Sequence, residues 1–131
     1  MPPVTLTIEG SRIDGIASFY TEINRVFMTG EDWQLGQSLD ALNDMLYGSY
    51  GALSEQKNAT VIWRDMEQNR HDLGLIATLA WLEAKLLKPD HFNTKRISED
   101  IARLLEGRGQ TFFELVLEVF ADHPSITLQA G

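Results

Sequence analysis

The chain opens on a period-two alternation, Val4-Thr5-Leu6-Thr7-Ile8, which stops at Gly10 and predicts a short strand. The period then changes. Ile16, Phe19, Ile23, Val26 and Phe27 fall on one stripe at helical spacing with Gly30 beyond them, which predicts an amphipathic helix over 17–28. Ser38 precedes Leu39, Leu42, Met45 and Leu46 as the N-cap of a short helix ending at Gly48. Beyond the turn-rich Gly48-Ser49-Tyr50-Gly51, the nearly all-apolar run Ala59-Thr60-Val61-Ile62-Trp63 predicts a strand buried on both faces, as central parallel strands are. Leu75, Leu79, Leu82 and Leu86 predict a helix over 72–87, broken by Lys88-Pro89-Asp90, and Ser98 is read as the cap of a second segment over 99–105, closed by Gly107. Thr111-Phe112-Phe113-Glu114 has the form of a capping box opening a helix to Phe120, after which Pro124 leads into a last strand, Ser125-Ile126-Thr127-Leu128.

Strands alternating with helices, on connections long enough to cross over, predict an α/β fold: a three-stranded parallel sheet flanked by helices. At 131 residues the chain reads as one domain, 1–131, in which 71–109 forms a helical hairpin inserted between the central strand and the last helix.

Charge then narrows the chemistry. Nineteen acidic residues against eleven basic ones give a net charge of −8, which argues against nucleic-acid binding and for a cationic partner. The 44% hydrophobic content places this acidity on a folded surface. With no cysteine, disulfides, thiolate metal sites and thiol catalysis are excluded. His71, His91 and His123 show no i, i+3 or i+4 spacing, so they read as isolated surface histidines and neither metal nor cofactor is expected. The serines occupy caps and turns without a nucleophile motif, so no enzyme is expected. The longest apolar stretch, 73–87, would reach about 23 Å as a helix against a hydrocarbon core of roughly 30 Å, so no membrane span is predicted. Met1-Pro2-Pro3-Val4 lacks the pattern of a secretory signal, and a cytoplasmic protein is expected.

Asp40 and Asp44 stand at i and i+4, opposite the apolar stripe of the second predicted helix, about 5–6 Å apart at Cβ. The helix dipole favours Asp40 in the first turn. It disfavours Asp44 near the C-terminus, so Asp44 needs a reason beyond helix formation. Tyr47 and Tyr50 read equally as interface aromatics or as covers of the sheet edge. Trp63 reads as core, and Trp81 as core or as a contact between the hairpin and the body.

The run Leu39-Asp40-Ala41-Leu42-Asn43-Asp44-Met45-Leu46-Tyr47-Gly48 resembles the second helix of the barstar family of intracellular ribonuclease inhibitors. Residues 5–16, with Gly10 and Ile13-Asp14-Gly15-Ile16, resemble the family's opening. Val61-Ile62-Trp63-Arg64 with Glu67-Gln68 resembles its central strand and the segment after that strand, and Val116-Leu117-Glu118-Val119-Phe120 with Ile126-Thr127-Leu128 its last helix and strand. Residues 4–70 and 110–129 are covered. The resemblance implies a protein that plugs the basic active site of a barnase-like ribonuclease with an acidic helix standing in for phosphates. Position by position, Asp40 and Asp44 match the two inhibitory aspartates, Gly48 the glycine behind them and Asp122 the acid ending the last helix. Asn43 and Tyr47 complete the candidate partner-binding set. Asn43 and Ser49 stand where the best-known member of the family carries large aromatics, which Tyr47, Tyr50 and Trp33 could partly replace, and 71–109 has no counterpart in short members. The expected partner is a basic ribonuclease or related toxin, bound one to one by a chain that is a monomer when free. Two alternatives stay open: an interaction module or immunity protein for a different toxin, engaged through the inserted helices, and self-association through the same segment.

Overall fold

The structure, a computed structural model, describes residues 3–131. Three strands, β1 (Val4–Glu9), β2 (Ala59–Arg64) and β3 (Ile126–Ala130), form one parallel sheet in the order β1-β2-β3. Val4 lies opposite Ala59, and Ala59 opposite Ile126. Around the sheet stand six helices: α1 (Ile16–Phe27), α2 (Leu39–Leu46), α3 (Met66–Asp72), α4 (Leu75–Leu86), α5 (Thr94–Leu105) and α6 (Phe112–Ala121).

The strand register sorts residues onto two unlike faces. Ile8, Ala59, Val61, Trp63 and Ile126 are buried on one face, with Val4, Leu6 and Leu128 partly buried beside them. The other face carries Thr5, Thr7, Thr60, Ile62, Thr127 and Gln129, which are half-buried or exposed. The expectation that β2 is buried on both faces is therefore corrected. Ile62 makes the run look uniformly apolar, but it sits among threonines on a face that the helices leave partly open.

On the covered face the core is built around Trp63. Phe19 of α1 stacks on its indole at 5.9 Å between ring centres, Phe113 of α6 lies at 5.4 Å, and Phe112 meets Phe19 edge-on at 5.6 Å. Asn69 of α3 is fully buried beneath this cluster. Its Oδ1 accepts from Trp63 Nε1 at 2.8 Å, while its Nδ2 donates to the carbonyls of Gly10 at 3.1 Å and Ile13 at 3.3 Å. One side chain thus joins β2 to the segment leaving β1. Gly10 is needed for the same approach, since a Cβ there would lie 2.1 Å from the Arg64 carbonyl oxygen.

Glu22 of α1 is only 2% exposed. Its carboxylate accepts from the Glu9 amide at 2.7 Å and is held bidentately by Arg25, Nε at 2.7 Å and Nη2 at 2.6 Å. Burial acts to raise its pKa, but the Arg25 hydrogen bonds, the Glu9 amide and the charges of Arg25 and Arg12 outweigh it, leaving the group below the usual carboxylate range. A carboxyl whose folded pKa is depressed stabilises the protein above its unfolded pKa, and that contribution disappears as pH falls through the folded value. Glu22→Gln should therefore unfold at lower urea than the parent at neutral pH, with the gap narrowing on acidification. A gap that stayed constant down to strongly acidic pH would contradict this linkage.

The predicted hairpin is present, with corrections. The stretch read as one helix over 72–87 is divided at Leu73-Gly74: Asp72 ends α3, and α4 begins at Leu75. The cap of α5 is Asn93, whose side chain accepts from the Arg96 amide at 3.1 Å, and Ser98 lies inside the helix. Between α4 and α5, Leu82, Ile97 and Leu104 form a small core of their own with Leu79, Leu86 and Ile101 packed against it. The apolar stripes are thus mostly spent on each other, although Leu75 and Leu105 stay exposed. Trp81 bridges hairpin and body, edge-on to Phe112 at 5.1 Å.

Hydrogen bonds from α6 strengthen that bridge. The capping box forms as predicted, with Thr111 Oγ1 accepting from the Glu114 amide at 3.3 Å and Glu114 Oε1 from the Thr111 amide at 3.0 Å. The two amides between them are served from across the chain: Phe112 N–H donates to Thr78 Oγ1 at 2.8 Å, and Phe113 N–H to the Leu73 carbonyl at 3.0 Å. All four amides that a helix start leaves without partners are satisfied. Thr78→Val keeps the shape and orphans the buried Phe112 amide, which should cost about 1–2 kcal/mol in urea unfolding and speed hydrogen exchange at Phe112.

Candidate functional site

Helix α2 is eight residues long, and its register decides what it presents. Ser38 Oγ accepts from the Ala41 amide at 3.0 Å, fixing the start. From there Leu42, Met45 and Leu46 fall into the core, and Asp40 and Asp44 are left exposed on one outer face. The helix stops at Tyr47 and Gly48, where φ is +86°. A Cβ at Gly48 would also crowd the Leu53 carbonyl oxygen at 3.1 Å, so glycine suits the turn twice over.

The adjoining loops add aromatics. Trp33, 44% exposed, packs on half-buried Tyr50 at 4.8 Å between centres. The Tyr50 phenol pKa is raised by burial and further by the charge of Asp44, which places Tyr50 within the field of the acidic face. Gly51, with φ of +75°, donates its amide to Glu31 Oε1 at 2.9 Å and so ties the loop after α2 to the loop after α1.

The six predicted site residues divide into two groups. Asp40 and Asp44 project outward from α2. Asn43 and Tyr47 gather around His123, just beyond the C-terminal end of α6, and exposed Asp122 precedes it in the chain. Asn43 Oδ1 lies 2.7 Å from His123 Nε2, and the Tyr47 ring stands edge-on to the imidazole at 4.6 Å and 78°. Gly48 closes the turn behind both groups. His123 corrects the reading of three surface histidines, since it is buried and bonded. No local signal marks it, because its partner Asn43 is 80 residues away in sequence. Asn43 therefore anchors the acidic helix to the segment leaving α6, and Tyr47, packed edge-on against His123, is still 71% exposed at the helix end.

Charge is divided as sharply as shape. Residues 71–109 hold six acidic and six basic side chains, so the entire net charge of −8 belongs to the remainder of the chain, which carries α2. Among the described residues no three His, Asp or Glu side chains are grouped to hold a metal ion, and no helix is long and apolar enough to cross a membrane.

A three-stranded parallel sheet flanked by helices, one of them a capped helix with two outward aspartates closed by a glycine turn, defines a class of small α/β proteins. The family model for barstar (barnase inhibitor) matches residues 4–122, and the chain belongs to that family. The match runs through α4 and α5 and ends before β3, so the likeness at Ile126-Thr127-Leu128 lies outside it. No curated protein matches the chain.

Proposed function

We propose that this protein is a non-enzymatic inhibitor that binds a basic, barnase-like ribonuclease one to one through the outer face of α2. The observation that carries the reading is the exposed pair Asp40 and Asp44 on a helix whose other side is locked into the core. Two carboxylates held at i and i+4 mimic successive phosphates and accept charge-assisted hydrogen bonds from the Arg, Lys and His side chains of such an active site. Family membership supports the class of partner. The charge of −8 outside the hairpin steers a basic enzyme toward this side of the molecule. Tyr47, Gly48 and the Trp33–Tyr50 pair extend the contact around the carboxylates, Asn43 holds the helix in place through His123, and Asp122 adds negative charge at the edge. In this reading the chain acts in the cytoplasm as a monomer until bound, and 1–131 is one domain with 71–109 as an added hairpin.

The test is to titrate a barnase-like ribonuclease with the protein at low and moderate salt while following RNA cleavage. Activity should fall linearly to zero at equimolar protein, and full activity at every ratio in low salt would defeat the proposal. Binding a different toxin through the inserted helices is the weaker reading, because those helices bury most of their apolar stripes against each other.

A further inference from the structure

Helices α4 and α5, together with the segment returning to α6, enclose an open cleft of about 370 Å³ that shares no residue with the acidic helix. Its apolar lining includes Trp81, Ile97 and Leu115. Around it stand four cations, Lys85, Arg96, Arg103 and Arg108, with Asp100 as the one carboxylate. More than a third of the chain's eleven basic residues thus meet at one place on an acidic protein.

The pairing within the cleft leaves positive charge over. Asp100 is engaged by Arg103, and Arg108 turns to Glu106. Among the described residues neither Lys85 nor Arg96 has an ion-pair partner. The Lys85 ammonium lies 3.8 Å from the centre of the Trp81 ring and 5.3 Å from that of Phe92, a cation–π arrangement that keeps the charge beside an aromatic wall. Burial lowers the Lys85 pKa, opposed by Asp100, as for an ammonium partly deprived of water. The volume falls in the range of small-molecule sites, and the lining sets four apolar side chains, Trp81, Leu82, Ile97 and Leu115, against four cations and one carboxylate, a composition suited to a charged ligand with an apolar part. A long polyanion is disfavoured by the net charge of −8, whereas a compact anion needs only the local cations.

We propose that this cleft binds a small organic anion, a phosphate monoester or carboxylate on a planar apolar body, with Lys85 and Arg96 holding the anion and Trp81, Ile97 and Leu115 covering the body. The proposal is independent of the inhibitor reading. It is tested on the full-length protein by following backbone amide and tryptophan indole NMR signals during titration with phenyl phosphate, benzoate, inorganic phosphate and benzyl alcohol. Phenyl phosphate or benzoate should shift the Trp81 indole signal, identified by its loss in Trp81→Phe, along with amides of α4 and α5. Inorganic phosphate should bind more weakly, and benzyl alcohol should shift nothing at the same concentration. Arg96→Gln and Lys85→Gln should each weaken binding about tenfold, the loss of one charge-assisted hydrogen bond, with amide signals elsewhere unchanged. Three results would overturn the proposal: no shift at Trp81 with either organic anion, benzyl alcohol binding as well as phenyl phosphate, or undiminished binding by the Lys85→Gln/Arg96→Gln double variant.

Discussion

Asp44→Ala should weaken inhibition of a barnase-like ribonuclease by roughly a hundredfold or more while leaving the fold at least as stable as before. The loss of inhibition comes from what an exposed carboxylate does when a basic site closes over it. Hydrogen bonds to charged groups contribute about 1.5–3 kcal/mol each, and a carboxylate gripped by two donors loses both on truncation. The retained stability comes from position. Asp44 lies in the last turn of α2, where the helix dipole opposes a negative charge by about 0.3–1 kcal/mol, and among the described residues its side chain makes no hydrogen bond that alanine would forfeit. Asp40, in the first turn, has the opposite sign, so Asp40→Ala should lose affinity and a little stability together. Inhibition constants at two salt concentrations, set beside urea unfolding of each variant, measure both quantities. An Asp44→Ala protein that inhibits as well as the parent would remove α2 from the binding surface.

The largest loss of stability should come from Asn69→Leu, about 4 kcal/mol. Leucine fills the volume but leaves the Trp63 indole N–H and the Ile13 carbonyl without the partner that Asn69 supplies, and takes from the Gly10 carbonyl one of its two donors, the Ile13 amide being the other. Each stranded buried group costs about 1–3 kcal/mol, and domains of this size are stable by only about 5–15 kcal/mol in total. Equilibrium urea unfolding followed by tryptophan fluorescence reads the effect directly, since Trp63 is one of the groups disturbed. A midpoint within error of the parent would mean that these contacts contribute nothing net.

Asn69 also explains why part of the fold is hidden in the sequence. Helix α3 runs Met66-Glu67-Gln68-Asn69-Arg70-His71-Asp72, and the residue it buries is the asparagine, so no apolar stripe announces it. Its start offers no clue either, because Asp65 enters in the left-handed region at φ 56° without capping the helix through its side chain. Asn93 is inconspicuous for a related reason: Thr94, Lys95 and Arg96 make the first turn of α5 polar, and the apolar spacing begins only at Ile97. By contrast β1, α1, the Ser38 cap and the Thr111 capping box are encoded within a few residues of themselves and are legible directly. The candidate site divides along the same line. Asp40 and Asp44 are read from i, i+4 spacing, whereas the anchor between Asn43 and His123 exists only once α6 is packed against α2.

The four amides at the start of α6 carry one more consequence. Thr78 and Leu73 serve two of them, and both residues lie within the 71–109 segment. Simple excision of that segment would leave bare donors at the head of a helix whose Phe112, Phe113, Val116 and Phe120 line the core. The hairpin is therefore part of the start of α6: the chain can be shortened here only if new acceptors for these two amides are supplied in the same step.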